Sequence, residues 1–130
     1  MNKILVVDDN RDNQELLIRR LEHSGSFEIF VASNGKEALE VASSAKPDLV
    51  LMDLRMPVMD GYEATRALHD TAWGRNLPVI AVTAFASKEH REKAFDAGCC
   101  DFIPKPILDY ALVEKKIRTF LALRLAPLPS

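Results

Sequence analysis

Three short apolar runs, residues 4–7, 49–52 and 79–82, are each bounded by polar or turn residues. Apolar runs of this length without alternation are the pattern of strands buried on both faces, so these three are expected at the centre of a sheet. Two further runs, residues 27–32 and 101–105, are mixed: they carry Glu28 and Pro104, which edge strands tolerate better than central ones. Helical periodicity fills every gap. Asn34 with Glu37 and Asp60 with Glu63 have capping-box spacing, Ser87 can cap another helix, and Gly25 and Gly98 fall where the first and fourth helices should stop. The last helix gathers Val113, Ile117, Phe120 and Leu121 on one stripe, and residues 71–76, with Trp73 and Gly74, read as a surface loop.

Strand followed by helix, five times over, predicts an α/β domain with a parallel sheet covered by helices on both faces. With right-handed crossovers and the two mixed runs at the edges, the strand order becomes 2-1-3-4-5. This is the flavodoxin-like arrangement, whose ligand site lies at the carboxyl ends of strands 1 and 3. One domain over residues 1–124 is expected, followed by a flexible tail over 125–130 in which Pro127 and Pro129 prevent helix.

Composition narrows the choice of partner. Lys and Arg number 17 against 19 Asp and Glu, a formal charge of -2, so there is no net positive field to hold nucleic acid or an anionic membrane. No segment reads as a membrane span, and the adjacent Cys99 and Cys100 suit neither an ordinary structural disulfide nor a zinc site, so a reducing cytoplasm is expected. The two cysteines read as turn and core thiols. His23, His69 and His90 lack ligand spacing and read as solvated side chains.

The chemistry lies at the strand tips. Strand 1 runs into Asp8 and Asp9 and strand 3 into Asp53, so the expected topology gathers three carboxylates at one place. Like charges ~4 Å apart repel by ~4 kcal/mol at an effective dielectric near 20, which calls for a cation. One or two direct carboxylates with retained waters and room for a phosphate oxygen suit Mg²⁺, with Mn²⁺ as substitute. Strand 4 adds the hydroxyl of Thr83 and strand 5 the ammonium of Lys105, the parts needed to position and neutralise a phosphoryl group while the Asp53 carboxylate attacks it.

These residues resemble one family closely, the receiver domains of two-component response regulators. The resemblance rests on Val7-Asp8-Asp9, on the segment from Met52-Asp53 through Arg55, Pro57 and Val58 to Asp60-Gly61, on Val82-Thr83-Ala84, on Ala97-Gly98 and on Lys105-Pro106-Ile107. It implies that Asp53 is the phosphoacceptor, that Asp8, Asp9, Asp53 and the Arg55 backbone carbonyl bind Mg²⁺, and that Thr83 and Lys105 contact the phosphoryl group. It further implies a cis Lys105-Pro106 peptide and a switch in which Thr83 shifts, Phe102 turns inward, and the face of helix 4, strand 5 and helix 5 changes its partners. The phosphodonor it implies is a histidine kinase or a histidine phosphotransfer protein. Such a domain is a self-catalysed switch rather than a turnover enzyme.

Arg55 and Phe85, two residues past Asp53 and Thr83, are expected to gate water at the phosphoryl group. The last helix uses up the chain, so output is expected through protein contacts or within a longer parent polypeptide. A stand-alone regulator and the receiver of a hybrid kinase read alike, and phosphorylation-dependent dimerisation stays open. The alternative is an Mg²⁺-dependent phosphohydrolase with an aspartyl nucleophile, but Arg55 stands where its second acid is wanted. A flavin module would want a phosphate-cradling loop where Asp8 and Asp9 repel anions.

Overall fold

The computed structural model describes residues 1–56, 59–85 and 87–125. Pro57 and Val58 of the motif segment lie outside the described residues, as does the expected tail beyond residue 125. Along the chain run β1 (Asn2–Val7), α1 (Arg11–His23), β2 (Phe27–Ala32), α2 (Gly35–Ala45), β3 (Leu49–Met52), α3 (Gly61–His69), β4 (Val79–Thr83), α4 (Lys88–Ala97), β5 (Asp101–Pro104) and α5 (Tyr110–Leu125). All strands are parallel, in the order β2-β1-β3-β4-β5. The flavodoxin-like topology expected from the apolar runs is therefore the observed one.

Side chains alternate across a strand, and that alternation divides the interior in two. Leu5, Val7, Val50, Met52, Ala81 and Phe102 meet Ala38 and Ala42 of α2, Ala64 and Leu68 of α3, and Ala94 and Ala97 of α4. On the other face Ile4, Val6, Leu49, Leu51, Ile80, Val82 and Ile103 meet Leu17 and Leu21 of α1 and Val113, Ile117 and Leu121 of α5. Apolar surface on both sides of β1, β3 and β4 is what leaves those strands without polar positions. The only groups free to be polar are those at the strand ends.

Local signals act where the sequence places them. The side chains of Asn34, Asp60 and Ser87 accept from the backbone N–H three residues on, at the starts of α2, α3 and α4, and Asn10 does the same for α1. Gly25 and Gly98 take φ of 72° and 113°, the left-handed region that ends a helix without a Cβ penalty. The end of α2 differs: Lys46 takes φ 50° there, so an ordinary residue does what glycine does elsewhere.

Three expectations need adjustment. β1 starts at Asn2, because Asn2 and Lys3 pair with Phe27 and Glu28 although neither is apolar. The loop over residues 71–76 is not merely a surface loop: Trp73 packs against the core, with the Lys46 ammonium 4.3 Å from its ring centroid, and Gly74 is buried. His69 is half-buried rather than solvated; its Nε2 donates to the Leu77 carbonyl at 2.8 Å, and its ring fills the space a Cβ on Gly98 would need. Among the described residues no helix is long and apolar enough to cross a membrane.

Candidate functional site

The ladder bonds of the sheet continue past the strands and carry the polar groups to one rim. The Asp8 N–H donates to the Ala32 carbonyl at 3.1 Å, Asp53 N–H to Val7 at 2.9 Å, and Lys105 N–H to Thr83 at 2.8 Å. Asp8, Asp53 and Lys105 thus have backbones fixed as firmly as the strands themselves. Asp8, Asp53 and Thr83 are buried and Asp9 is exposed. Asp8, Asp9 and Asp53 each offer one carboxylate oxygen, all within 4.8 Å of one another.

Lys105 reaches into this acid group. Its ammonium donates to Asp8 Oδ2 at 2.7 Å and to Asp53 Oδ2 at 3.1 Å. The other oxygens are held by backbone: Asp8 Oδ1 accepts from Asn10 N–H at 2.9 Å, and Asp53 Oδ1 from Arg55 N–H at 3.2 Å. Thr83 Oγ1 accepts the Phe85 N–H at 3.3 Å, which leaves the hydroxyl proton free to be donated. The Lys105-Pro106 peptide is cis.

Ionisation states follow from burial and charge. Burial raises the Asp53 carboxyl above its ordinary value, and neighbouring Asp8 pushes the same way; Lys105 and the Arg55 N–H oppose them without prevailing. Burial alone would depress the Lys105 ammonium, but its bond to Asp8 and the charges of Asp53 and Asp8 outweigh that and raise it. An ion pair should lower its carboxylate, so the upward shift of Asp53 means that desolvation and like charge exceed what one ammonium supplies. Three acids share one lysine.

That imbalance is the test for a metal. Mg²⁺ holds oxygens at ~2.1 Å, so two ligands on opposite sides stand ~4 Å apart. The carboxylate oxygens lie within 4.8 Å of one another, and the exposed side chain of Asp9 is free to adjust the remainder by rotation. A hard, all-oxygen donor set with surplus negative charge fits a divalent cation of the magnesium kind.

A family model for the response regulator receiver domain matches residues 4–117. The chain belongs to that family. This receiver domain is 43% identical over 104 residues to the polar-differentiation response regulator DivK of Brucella anthropi, covering 80% of the chain and 84% of DivK. It is 41% identical over 122 residues to the response regulator MprA of Mycolicibacterium vanbaalenii, but spans only 50% of MprA's length. Among solved structures, the receiver domain of the Pseudomonas aeruginosa sensor histidine kinase PA1611, which has a magnesium ion coordinated in its active-site cleft, matches with a TM-score of 0.86. That match has 34% identity and covers 93% of this chain and 98% of the other. The Vibrio cholerae chemotaxis protein CheY4 matches with a TM-score of 0.86 at 27% identity, covering 92% and 98%.

All the sequence-predicted groups of this receiver domain lie at or near one rim, with two qualifications. Phe102 is buried within the α2–α3–α4 face of the sheet, its ring already inward. Arg55 lays its guanidinium over the Phe85 ring, 4.1 Å from the centroid.

Two residues have contacts at the site that the sequence did not disclose. Gln14 is buried and its amide donates to the Asp8 carbonyl, to the Ala32 carbonyl at 3.3 Å and to Ser33 Oγ at 3.2 Å, joining the ends of β1 and β2. Its place on the stripe of Leu17 and Leu21, a polar residue on the core side of α1, was the available signal. Gly61 is the second: a Cβ there would collide with the Asp53 carbonyl oxygen and lie 2.7 Å from Leu54 Cα.

Proposed function

We propose that this receiver domain is a phosphorylation-driven signalling switch in a phosphorelay, with Asp53 as the acceptor. The observation that carries the reading is the Lys105 ammonium bound at once to Asp8 and Asp53 beside a third carboxylate, a pocket with fixed positive charge next to a buried nucleophile. In the transfer, Asp53 Oδ attacks phosphorus as the bond from phosphorus to the donor histidine nitrogen breaks. Lys105 moves its ammonium onto a phosphoryl oxygen, and the free proton of Thr83 is donated to another. Asp8, Asp9, Asp53 and the Arg55 carbonyl would hold Mg²⁺, which supplies charge neutralisation on the phosphoryl oxygens.

The donor is a phosphohistidine on a kinase or phosphotransfer protein. The response is a shift of Thr83 toward the new phosphoryl group, transmitted through Phe102 to the face made by α4, β5 and α5, which biases a pre-existing equilibrium. The phosphohydrolase alternative finds no carboxyl at position 55 to act as acid.

The test is intact mass after incubation with acetyl phosphate and Mg²⁺. One labile phosphoryl adduct is expected on the wild type and none on Asp53→Asn or in chelator. Rapid turnover of unrelated phosphate esters without an adduct would overturn the switch reading in favour of the hydrolase.

A further inference from the structure

The mouth above Asp53 is built from more than Arg55 and Phe85. Phe85 is 39% exposed, so no core holds its ring in place. Two side chains pack against it. The Arg55 guanidinium carbon lies 4.1 Å from the ring centroid, and the His90 ring lies 5.5 Å away, tilted by 41°. His90 in turn is anchored in the first turn of α4, where its Nδ1 bonds Ser87 Oγ and its backbone N–H donates to the same oxygen at 3.3 Å. The backbone of Phe85 is tied to the Thr83 hydroxyl. A cavity of about 650 Å³ opens beside this array, lined by Asp9, Arg55, Glu89, His90 and Lys93 among others, and so runs to the edge of the acid group.

We infer that His90 is a positioning residue for the lifetime of the phosphoryl group on Asp53. It packs against the Phe85 ring, which Arg55 also meets, and thereby restricts water at phosphorus. The inference rests on the proposed phosphorylation of Asp53.

Loss of the group is an in-line displacement: a water oxygen bonds to phosphorus as the bond from phosphorus to Asp53 Oδ breaks. Asp53 departs as carboxylate, inorganic phosphate leaves, and the surplus water proton passes to solvent. The attacking water must arrive opposite the Asp53 oxygen, from the open side of the pocket, the side we assign to Arg55 and Phe85, whose backbone N–H groups bond Asp53 Oδ1 and Thr83 Oγ1. A ring that keeps both partners stays across that path; one left with Arg55 alone swings out. Among the described residues His90 makes no hydrogen bond to the acids or to Lys105, so its influence is taken to pass through Phe85.

The experiment compares wild type, His90→Ala and His90→Phe after phosphorylation with acetyl phosphate and Mg²⁺, following decay of the adduct by intact mass. His90→Ala is expected to lose its phosphoryl group roughly three- to tenfold faster, the range set by one lost ring pairing. His90→Phe, which keeps a ring, should stay within about twofold of wild type. Magnesium affinity, measured alongside, should be the same in all three, which a general loosening of the site would not allow.

Decay of His90→Ala at the wild-type rate overturns the inference, as does decay of His90→Phe as fast as His90→Ala, or a shift in magnesium affinity. Those results leave the proposed function standing. A wild-type protein that accepts no phosphoryl group overturns both.

Discussion

Replacing Asp53 by Asn in metal-free protein removes a buried negative charge and keeps nearly the same shape. Two repulsions disappear, from Asp8 and Asp9, each at least ~3.5 kcal/mol for oxygens within 4.8 Å of one another at an effective dielectric of ~20. One attraction is lost, to Lys105 at 3.1 Å, worth ~5 kcal/mol on the same scale. The Asp9 contribution is reduced by its exposure, while relief of Asp53 desolvation acts in the favourable direction. The balance leaves Asp53→Asn more stable by about 1–2 kcal/mol at pH 7 and low salt.

In urea denaturation with chelator present, that difference should raise the midpoint by about 0.5–1 M. The pH dependence has a definite sign. Because the folded Asp53 carboxyl lies above 3.8, the folded chain holds a proton that the unfolded chain has released in the window above that value. Wild-type stability from this group therefore rises as pH falls through the folded value and is complete below 3.8, where the advantage of the variant vanishes. Saturating Mg²⁺ should reverse the order, since a ligand at 100 times its dissociation constant adds ~2.7 kcal/mol to the form that binds it. Asp53→Asn no more stable than wild type in chelator at pH 7 would refute the claim that desolvation and like charge together outweigh the lysine.

Lys105→Met should destabilise metal-free protein by about 3–5 kcal/mol, the cost of leaving buried carboxylates unpaired, and much of that should return with Mg²⁺. An unchanged midpoint in chelator would show that Lys105 is not the compensating charge. Gly61→Ala places a Cβ against the Asp53 backbone and should cost about 1–3 kcal/mol while slowing adduct formation from acetyl phosphate; wild-type rates would mean the contact does not position Asp53. Burial pushes the thiols of Cys99 and Cys100 up to about 11 and about 12, so iodoacetamide should label neither appreciably at pH 7 without denaturant. The same shift makes stability fall as pH rises above 9.0, where the unfolded thiols ionise and the folded ones do not. Phe102→Ala should cost about 3–5 kcal/mol yet still take the phosphoryl group, with amide shifts across α4, β5 and α5 weakened on phosphorylation; wild-type shifts would remove Phe102 from the switch.

The sheet was legible because β1, β3 and β4 are apolar on both faces, so an unbroken run could mean only a central strand. Asn2 and Lys3 escaped because they pair through their backbones, which side-chain pattern does not report. Lys46 escaped because nothing in its residue type marks the left-handed conformation. At the site, Asp8, Asp9, Asp53, Thr83 and Lys105 could be located by topology, since each follows a strand that ends at the same rim. The stripe of α1 marks Gln14 but not its partners, and His69 and the partners of Phe85 could not be located, because hydrogen bonds and ring contacts between separate elements depend on how those elements are turned, which no spacing rule fixes.

Lys105 and Asp8 are 97 positions apart in the chain. A polypeptide emerging from the ribosome would have β1 and β3 available to bring their carboxylates together well before the neutralising ammonium had been synthesised. The acid pocket is thus a late-balanced structure: any fragment ending ahead of β5 carries all of its negative charge and none of this relief. Ions in the surrounding solution must do for the nascent domain what its own lysine does once synthesis is complete.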